Sequence, residues 1–234
     1  MLLAGLNKTT LLDYPERVAA TVFTGGCNFR CPFCHNAGLV LNPAEQELFS
    51  EEEVLDFLKK RRSILSGVCL TGGEPALQAD LPDFIRKIKE LSYAVKLDTN
   101  GYYPEMLQML VEEGLIDYVA MDVKNCRERY SSTVGMDRLE LGRIEQSIEF
   151  LKQGRLDYEF RTTVVKELHR EEDLLKLGEW IKGCPRYYLQ KYRDDENVLG
   201  EGFHAYEDEE MKRLAGKIQN IFKATGIVSV RGCD

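Results

Sequence analysis

The sequence predicts an α/β fold, a partial (β/α)6 TIM-like barrel. Three observations predict it: short β-rich runs alternate with helix-compatible stretches, six such units follow one another, and charged residues within the runs share one face. Repeating βα units imply a parallel sheet with helical crossovers. A closed barrel of this kind has eight units, so six units predict a barrel that stays open along one side.

The predicted strands lie near residues 17–24, 67–71, 93–98, 117–123, 157–164 and 186–192. The helices between them carry their own start signals. Ser50 followed by three glutamates is typical of an N-cap with a capping box. Residues 80–91 and 104–113 also favour helices, and the second begins with a proline suited to a first helical turn.

The domain organisation is predicted to be simple. The chain has 234 residues, of which 44% are hydrophobic, and this is enough to fill a sizeable core. No repeat, low-complexity segment or linker divides the sequence. We expect one domain over 1–234, with a core over about 17–193 and a C-terminal helix and short extension over 194–234.

Composition argues against several classes of protein. The formal net charge of −8 is unlike that of a general nucleic-acid binder, which carries a basic face. No apolar run approaches the roughly 20 residues of a membrane span. Seven cysteines, an odd number, without a signal peptide are typical of a reducing compartment. We therefore expect a cytoplasmic protein with no nucleic-acid or membrane partner.

Three cysteines follow the first predicted strand in the run CNFRCPFC, at Cys27, Cys31 and Cys34. Cysteine thiolates hold iron–sulfur clusters, and a complete four-iron cluster normally has four of them. A local triplet leaves one iron for another ligand, which a substrate could supply. A zinc knuckle would need a fourth ligand at suitable spacing, and His35 is too close to Cys34 to share one tetrahedral metal.

Charged side chains recur on one face of three successive predicted strands, because residues two apart in a strand share a face. Parallel strands covered by helices are usually apolar on both faces, so the pattern predicts a polar lumen that holds something charged. The alternative is that these groups pair with one another as buried salt bridges. The set comprises Lys96, Asp98, Asp122, Lys124, Glu159 and Arg161, and the uncharged Thr163 shares their face.

A second motif, TGGEP over 71–75, follows the second predicted strand. Taken alone, two glycines before a proline indicate only a turn. Gly72 and Gly73 would also let the backbone approach a ligand closely, and Glu74 would place an acceptor beside it.

The cysteine triplet and the GGE motif together resemble the signatures of the radical S-adenosylmethionine (SAM) superfamily. The resemblance implies a barrel of the radical SAM type and a [4Fe-4S] cluster held by Cys27, Cys31 and Cys34. The amino and carboxylate groups of SAM would complete the coordination, and the GGE motif at 72–74 would contact the SAM amino group.

Further segments resemble the glycyl-radical-enzyme activases, the group that includes pyruvate formate-lyase activating enzyme. These segments are CHN at 34–36, DTNG at 98–101 and DVK at 122–124. The opening 5–15, with 18–34 and 158–165, is most similar to the activators of anaerobic ribonucleoside-triphosphate reductase. The resemblance extends over most of the chain.

The same resemblance implies roles for residues of the predicted lumen. Lys124 would contact the SAM carboxylate, because a carboxylate is stabilised by a cation within hydrogen-bonding distance. Asp98 and Asp122 would help to bind a monovalent cation, because hard cations prefer oxygen ligands. Arg161 would line the SAM pocket, and Phe33 would pack near the adenine.

Two further assignments come from alignment with the activases. Asp13 corresponds to an acidic residue that faces the peptide substrate in relatives. Pyruvate formate-lyase activases carry a SAM-contacting histidine on the last barrel strand, whereas this chain has Gln190 there. We expect Gln190 to take that place, although the departure weakens a pyruvate formate-lyase assignment.

Other reactive residues are predicted to be structural. Cys69, Cys126, Cys184 and Cys233 form no second CxxC motif, and a free buried cysteine behaves as a small hydrophobe. His169 and His204 stand among polar residues and are predicted to be solvated, and Trp180 is predicted to belong to the core.

The function that the resemblance implies is activation of another enzyme. Reductive cleavage of SAM would give a 5′-deoxyadenosyl radical that abstracts a glycine Cα hydrogen from a glycyl radical enzyme. Anaerobic ribonucleotide reductase is the expected partner, and a flavodoxin or ferredoxin-type protein the expected reductant. Two alternatives stay open: a radical SAM enzyme acting on a small molecule, as in deazaguanine biosynthesis, and an iron–sulfur electron-transfer protein.

Overall fold

The computed structural model describes residues 1–195, 197–223 and 225–233. Within these ranges a single sheet carries the strands in chain order from β1 to β8. The strands are β1 Leu3–Thr10, β2 Ala19–Thr24, β3 Gly67–Gly72, β4 Ala94–Thr99, β5 Tyr118–Asp122, β6 Asp157–Val164, β7 Arg186–Lys191 and β8 Ile227–Arg231. Strands β2 to β8 run parallel, and β1 pairs antiparallel with β2.

Helices connect the parallel strands. They are α1 Ala37–Leu41, α2 Glu51–Arg61, α3 Leu81–Glu90, α4 Pro104–Glu112, α5 Arg127–Thr133, α6 Leu141–Lys152, α7 Glu171–Ile181 and α8 Asp208–Phe222. The six predicted βα units are confirmed as β2 to β7 with their following helices. The predicted capping box is also present, because Ser50 accepts from the Glu53 N–H and the Glu53 side chain accepts from the Ser50 N–H.

The sheet is an open, partial barrel, as predicted, because β1 and β8 lie at its two ends. Both of these strands were missed by the sequence analysis. Strand β8 is short and half-buried, with no strong alternation to reveal it. Strand β1 becomes polar and exposed along its second half, where the pattern of a buried strand is lost.

The main hydrophobic core lies between the outer face of the sheet and the helices. Val95 and Leu97 of β4 are fully buried, as are Val119 and Met121 of β5. Full burial of such a side chain stabilises the fold by roughly 1.5–3 kcal/mol. Trp180 of α7 is buried as predicted. The apolar residues thus face the helices, which leaves the polar residues of the same strands for the inner face.

The C-terminal segment extends this architecture beyond the six predicted units. Phe222 of α8 stacks on Tyr187 of β7, with ring centroids 6.0 Å apart. The side chain of Gln219 accepts a hydrogen bond from the Val228 N–H at 2.8 Å. The predicted short extension is therefore a seventh parallel strand that is held by the helix before it.

Of the helices in the described ranges, none combines the length and apolar character needed to span a membrane.

Candidate active site

A cavity of about 220 Å³ lies where the parallel strands end. Every residue predicted to hold the metal or the cofactor lines it. Asp13 is not among the lining residues, and Val40 of α1 lines the cavity without having been singled out from sequence. The predicted lining residues are Cys27, Cys31, Phe33, Cys34, Gly72, Gly73, Glu74, Asp98, Asp122, Lys124, Arg161 and Gln190.

The cysteine loop and the GGE motif are in direct backbone contact. The Glu74 N–H donates to the Gly26 carbonyl at 2.8 Å, and the Gly73 N–H donates to the Thr24 carbonyl at 2.8 Å. A Cβ atom added to Gly73 would lie 1.9 Å from the Gly26 oxygen, far inside contact distance. Gly73 is therefore required for the approach of the two loops.

The chemistry of the loop suits an iron–sulfur cluster. Three thiols face one cavity, and the backbone N–H of Phe29 donates to the sulfur of Cys27 at 3.4 Å. The side-chain nitrogen of Asn28 is buried and has no hydrogen-bond partner within the described ranges. A cluster, whose sulfur atoms accept hydrogen bonds, would give this donor a partner.

Burial raises the pKa of Cys27 to about 11 and that of Cys31 to about 12. Thiolates in this loop therefore need a compensating positive charge, which iron would supply. In the described part of the chain, no three Cys, His, Asp or Glu side chains are grouped to hold a metal ion. Cysteine thiols such as these three are the usual ligands of an iron–sulfur cluster.

Glu74 joins two walls of the cavity. Its carboxylate accepts hydrogen bonds from the Thr99 hydroxyl at 2.7 Å, the Asn100 N–H at 2.7 Å and the Ala76 N–H at 3.1 Å. The side chain is only 1% exposed, and burial raises the pKa of its carboxyl to about 7 even though these donors favour ionisation. The GGE motif is consequently locked to the end of β4.

Arg161 organises the charged wall of the cavity. Its guanidinium donates to Asp98 at 3.1 Å and to Asp122 at 2.9 Å, and so bridges two carboxylates from neighbouring strands. Lys124 pairs with Asp122 at 3.0 Å, and Lys96 pairs with Asp98. Two cations and two carboxylates thus balance at the cavity wall, and the buried Lys96 behind it gives the whole network one excess positive charge. Such a network favours an anionic group on a bound ligand.

The pKa values of Asp122 and Lys124 follow from this pairing. Burial opposes ionisation of Asp122, yet Arg161 and Lys124 hold its pKa well below the usual range. Burial likewise favours a neutral Lys124, yet Asp122 raises its pKa. Asp122, Lys124 and Arg161 therefore stay charged at neutral pH.

The predicted lumen divides into two parts. Four of its residues pair with one another and also line the cavity, so the polar-lumen and the salt-bridge interpretations both apply to them. These residues are Asp98, Asp122, Lys124 and Arg161. Lys96 and Glu159 do not line the cavity; they are 2% and 1% exposed and serve as buried ion-pair partners.

His169 was predicted to be solvated, and this prediction is wrong. The side chain is fully buried, and its Nδ1 accepts from the Val165 N–H at 3.1 Å. With Nδ1 as the acceptor, Nε2 carries the proton and donates to the Lys124 carbonyl at 2.7 Å. Burial lowers the pKa of His169 and favours this neutral form. His204 is exposed, as predicted, and contacts Glu167 at 2.7 Å.

The remaining candidates lie outside the cavity. Cys69, Cys126 and Cys184 are buried, whereas Cys233 is partly exposed. Asp13 accepts a hydrogen bond from the Thr21 hydroxyl at 2.5 Å, and its substrate-facing role stays a prediction. The monovalent cation also stays a prediction.

The sequence profile of the radical SAM superfamily matches residues 21–178. The chain belongs to the radical SAM superfamily. It is a radical SAM enzyme, and the cofactors of this superfamily are a [4Fe-4S] cluster and SAM.

A relative of similar length indicates which group of the superfamily the chain resembles. A protein of Methanocaldococcus jannaschii, named by inference a glycyl-radical enzyme activating enzyme, is 32% identical across 100% of this chain and 93% of its own length. A GTP 3′,8-cyclase of Thermococcus kodakarensis, also named by inference, is 34% identical over 64% of this chain, which spans only 48% of that protein. The chain is thus similar to the activating enzyme from end to end.

Solved structures share the fold at low sequence identity. Streptococcus suis SuiB bound to SAM has a TM-score of 0.71 at 15% identity, over 89% of this chain. SuiB bound to the precursor peptide SuiA has a TM-score of 0.71 at 14% identity, over 91% of this chain. In both cases the match spans 48% of SuiB, about half of that larger protein.

Proposed function

We propose that this protein is an activase that removes a hydrogen atom from a glycine Cα of a partner enzyme and leaves a glycyl radical there. The proposed partner is anaerobic ribonucleoside-triphosphate reductase. The observation that carries the proposal is the similarity to an activating enzyme across 100% of this chain, together with a cavity that contains the complete predicted set of cofactor residues.

Cys27, Cys31 and Cys34 are the proposed ligands of the [4Fe-4S] cluster. Their loop is anchored on both sides, by the Gly26 contact with the GGE motif and by a 2.9 Å hydrogen bond from the Arg30 N–H to the Val134 carbonyl. The buried amide of Asn28 is proposed to donate to the cluster.

The charged wall is the proposed site of the SAM carboxylate. Lys124 would contact it directly, because it is held in place by Asp122 within a network that, with the buried Lys96, has one excess positive charge. Arg161 would support the wall through its two carboxylate contacts. Asp98 would act in the same network, and Gln190 would contribute a neutral amide from β7.

The amino group and the adenine of SAM would lie on the other wall. The carbonyl groups of Gly72 and Gly73 are proposed to accept from the SAM amino group, and the side-chain amide of Asn36 donates to the Gly72 carbonyl at 3.0 Å. Glu74 would act mainly by fixing these glycines, because its carboxylate already has three donors. Phe33 is proposed to pack against the adenine.

Held by Cys27, Cys31 and Cys34, a reduced cluster would supply the one electron that splits SAM into methionine and a 5′-deoxyadenosyl radical, and this radical would take the hydrogen atom. The chain itself orients the ligand and excludes water, and no acid or base residue is needed. A flavodoxin or ferredoxin-type protein is the proposed reductant. All seven cysteines are free thiols, which supports the proposed cytoplasmic setting.

The proposal is tested by combining the reduced, reconstituted protein and SAM anaerobically with the anaerobic ribonucleotide reductase of the same genome. We expect an EPR doublet of an organic radical that collapses to a singlet when glycine is deuterated at Cα, together with 5′-deoxyadenosine. If no radical forms with any glycyl radical enzyme of that genome, while a small metabolite triggers stoichiometric 5′-deoxyadenosine release, the small-molecule alternative replaces the activase.

A further inference from the structure

The inner face of the sheet continues from the cavity to the free edge at β8. Thr163 of β6 is aligned with Gln190 of β7, and Gln190 is aligned with Arg231 of β8. Aligned residues of neighbouring parallel strands lie side by side on one face. Thr163 and Gln190 line the cavity, so Arg231 is the outer end of a polar row that begins inside it.

Arg231 is held rigidly in this position. Its two terminal nitrogens donate to the two carboxylate oxygens of Glu159 at 2.7 and 3.0 Å, a bidentate pair. The guanidinium carbon lies 3.5 Å from the centre of the Tyr188 ring. Glu159 is almost fully buried, whereas the Arg231 side chain is 35% exposed.

The guanidinium retains donors for another molecule. A guanidinium has five N–H groups, and the hydrogen bonds found for Arg231 within the described residues use two of them, both to Glu159. Glu159 also accepts from the Tyr118 hydroxyl at 2.7 Å. Arg231 is therefore held by two of its five donors, and its exposed part offers the remaining N–H groups at the free edge of the sheet.

A glycine-bearing peptide has a particular recognition problem. Glycine has no side chain, so at the glycine itself only backbone carbonyl and N–H groups can be recognised by hydrogen bonds. A preorganised guanidinium donates well to such carbonyls and loses little conformational freedom on binding. The row of hydroxyl, amide and guanidinium groups at Thr163, Gln190 and Arg231 has the chemistry for this task.

We propose that Arg231, fixed by Glu159 and Tyr188, is a substrate-positioning residue that binds backbone carbonyls of the glycine-bearing segment of the partner enzyme at the open side of the barrel. This inference rests on the proposed function and deepens it. It assigns a role in partner recognition to β8, the strand that lies beyond the predicted units.

The test uses the full-length reconstituted protein and the anaerobic ribonucleotide reductase of the same genome. Arg231→Gln should raise both the KM and the Kd for the reductase by about tenfold to about a hundredfold, the effect of losing a charge-assisted hydrogen bond. The kcat at saturating reductase and the Kd for SAM should not change. Arg231→Lys should recover part of the affinity.

Two further variants keep the test decisive. Arg155→Gln removes an exposed arginine that pairs with Glu112 away from the cavity, and it should behave as wild type. Arg231→Gln leaves the buried Glu159 carboxylate without its cation, which can destabilise the fold. The double variant Arg231→Gln, Glu159→Gln removes both charges and should show the same loss of reductase affinity with a normal SAM Kd.

The outcomes separate this inference from the proposed function. If the wild type forms the glycyl radical and the folded Arg231 variants keep wild-type KM and Kd for the reductase, the positioning role is wrong and the activase function stands. If the wild type forms no glycyl radical and does not bind the reductase, both proposals fail. If the variants lose SAM binding together with reductase binding, Arg231 is a structural residue of the cavity.

Discussion

The buried ring of His169 donates a hydrogen bond from Nε2 to the carbonyl oxygen of Lys124 at 2.7 Å. The two residues are 45 positions apart in the chain. Through this contact the turn after β6 fixes the backbone of the residue proposed to meet the SAM carboxylate. The bond requires Nε2 to carry a proton while Nδ1 accepts from the Val165 N–H.

Replacing His169 should therefore change how stability depends on pH. The unfolded protein binds a proton at this imidazole below a pKa of about 6.5, whereas burial keeps the folded form neutral to lower pH. Stability due to His169 is thus present above about 6.5 and is lost as the pH falls, by at most about 1.4 kcal/mol per pH unit.

We expect the free energy of unfolding of the wild type to fall relative to that of His169→Gln between pH 7.5 and 6.0, measured by chemical denaturation. Burial raises the pKa of Glu74 to about 7, which gives the opposite slope, but both proteins share this contribution. Parallel stability profiles for the two proteins would show that His169 does not stay neutral in the fold.

The cysteine triplet and the other cysteines should differ sharply in iron content. Alanine at Cys27, Cys31 or Cys34 should abolish the SAM-responsive [4Fe-4S] signal after anaerobic reconstitution, because each is a proposed ligand. Alanine at Cys69 should leave about four irons per chain, since Cys69 does not line the cavity. A normal cluster in Cys31→Ala, measured by iron and sulfide analysis, would contradict the ligand assignment.

Lys124→Ala should weaken SAM binding and leave the cluster intact. It removes one charge-assisted contact worth roughly 1.5–3 kcal/mol, which is about ten to a hundredfold in affinity. The Kd is measured by titrating SAM against the EPR spectrum of the reduced cluster. Lys176→Ala is the matched control, because this lysine is exposed on α7 and its 3.7 Å contact with Glu128 is far from the charged wall. Equal SAM affinity in both variants would remove Lys124 from the site.

Gly73→Ala should prevent the cysteine loop and the GGE motif from meeting, because the added Cβ would lie 1.9 Å from the Gly26 carbonyl oxygen. We expect the variant to lose SAM binding and to unfold at lower denaturant concentration than the wild type. Gly142→Ala in α6 is the control, since a Cβ there meets nothing within 4 Å. It should be neutral or stabilise the fold by up to about 1 kcal/mol. A Gly73→Ala protein with normal stability and SAM affinity would contradict the close approach.

Strands β2 to β7 and the cofactor residues of the cavity could be predicted from the sequence alone. Alternation within β4 and β5, the capping box at Ser50 and the spacing of Cys27, Cys31 and Cys34 are local properties, and local patterns persist in the fold. Because the carboxyl ends of parallel strands meet at one edge of a sheet, residues at those ends could be predicted to share a site.

The pairing of these residues, and which of them remain available to a ligand, could be seen only in the folded protein. The bidentate contact of Arg231 with Glu159 joins residues 72 positions apart, and it depends on a strand that the sequence pattern did not reveal. Burial of His169 depends in the same way on elements packed around it. Long-range pairing follows from how the sheet curves and which groups lose access to water, and neither property is encoded in the spacing of residues along one strand.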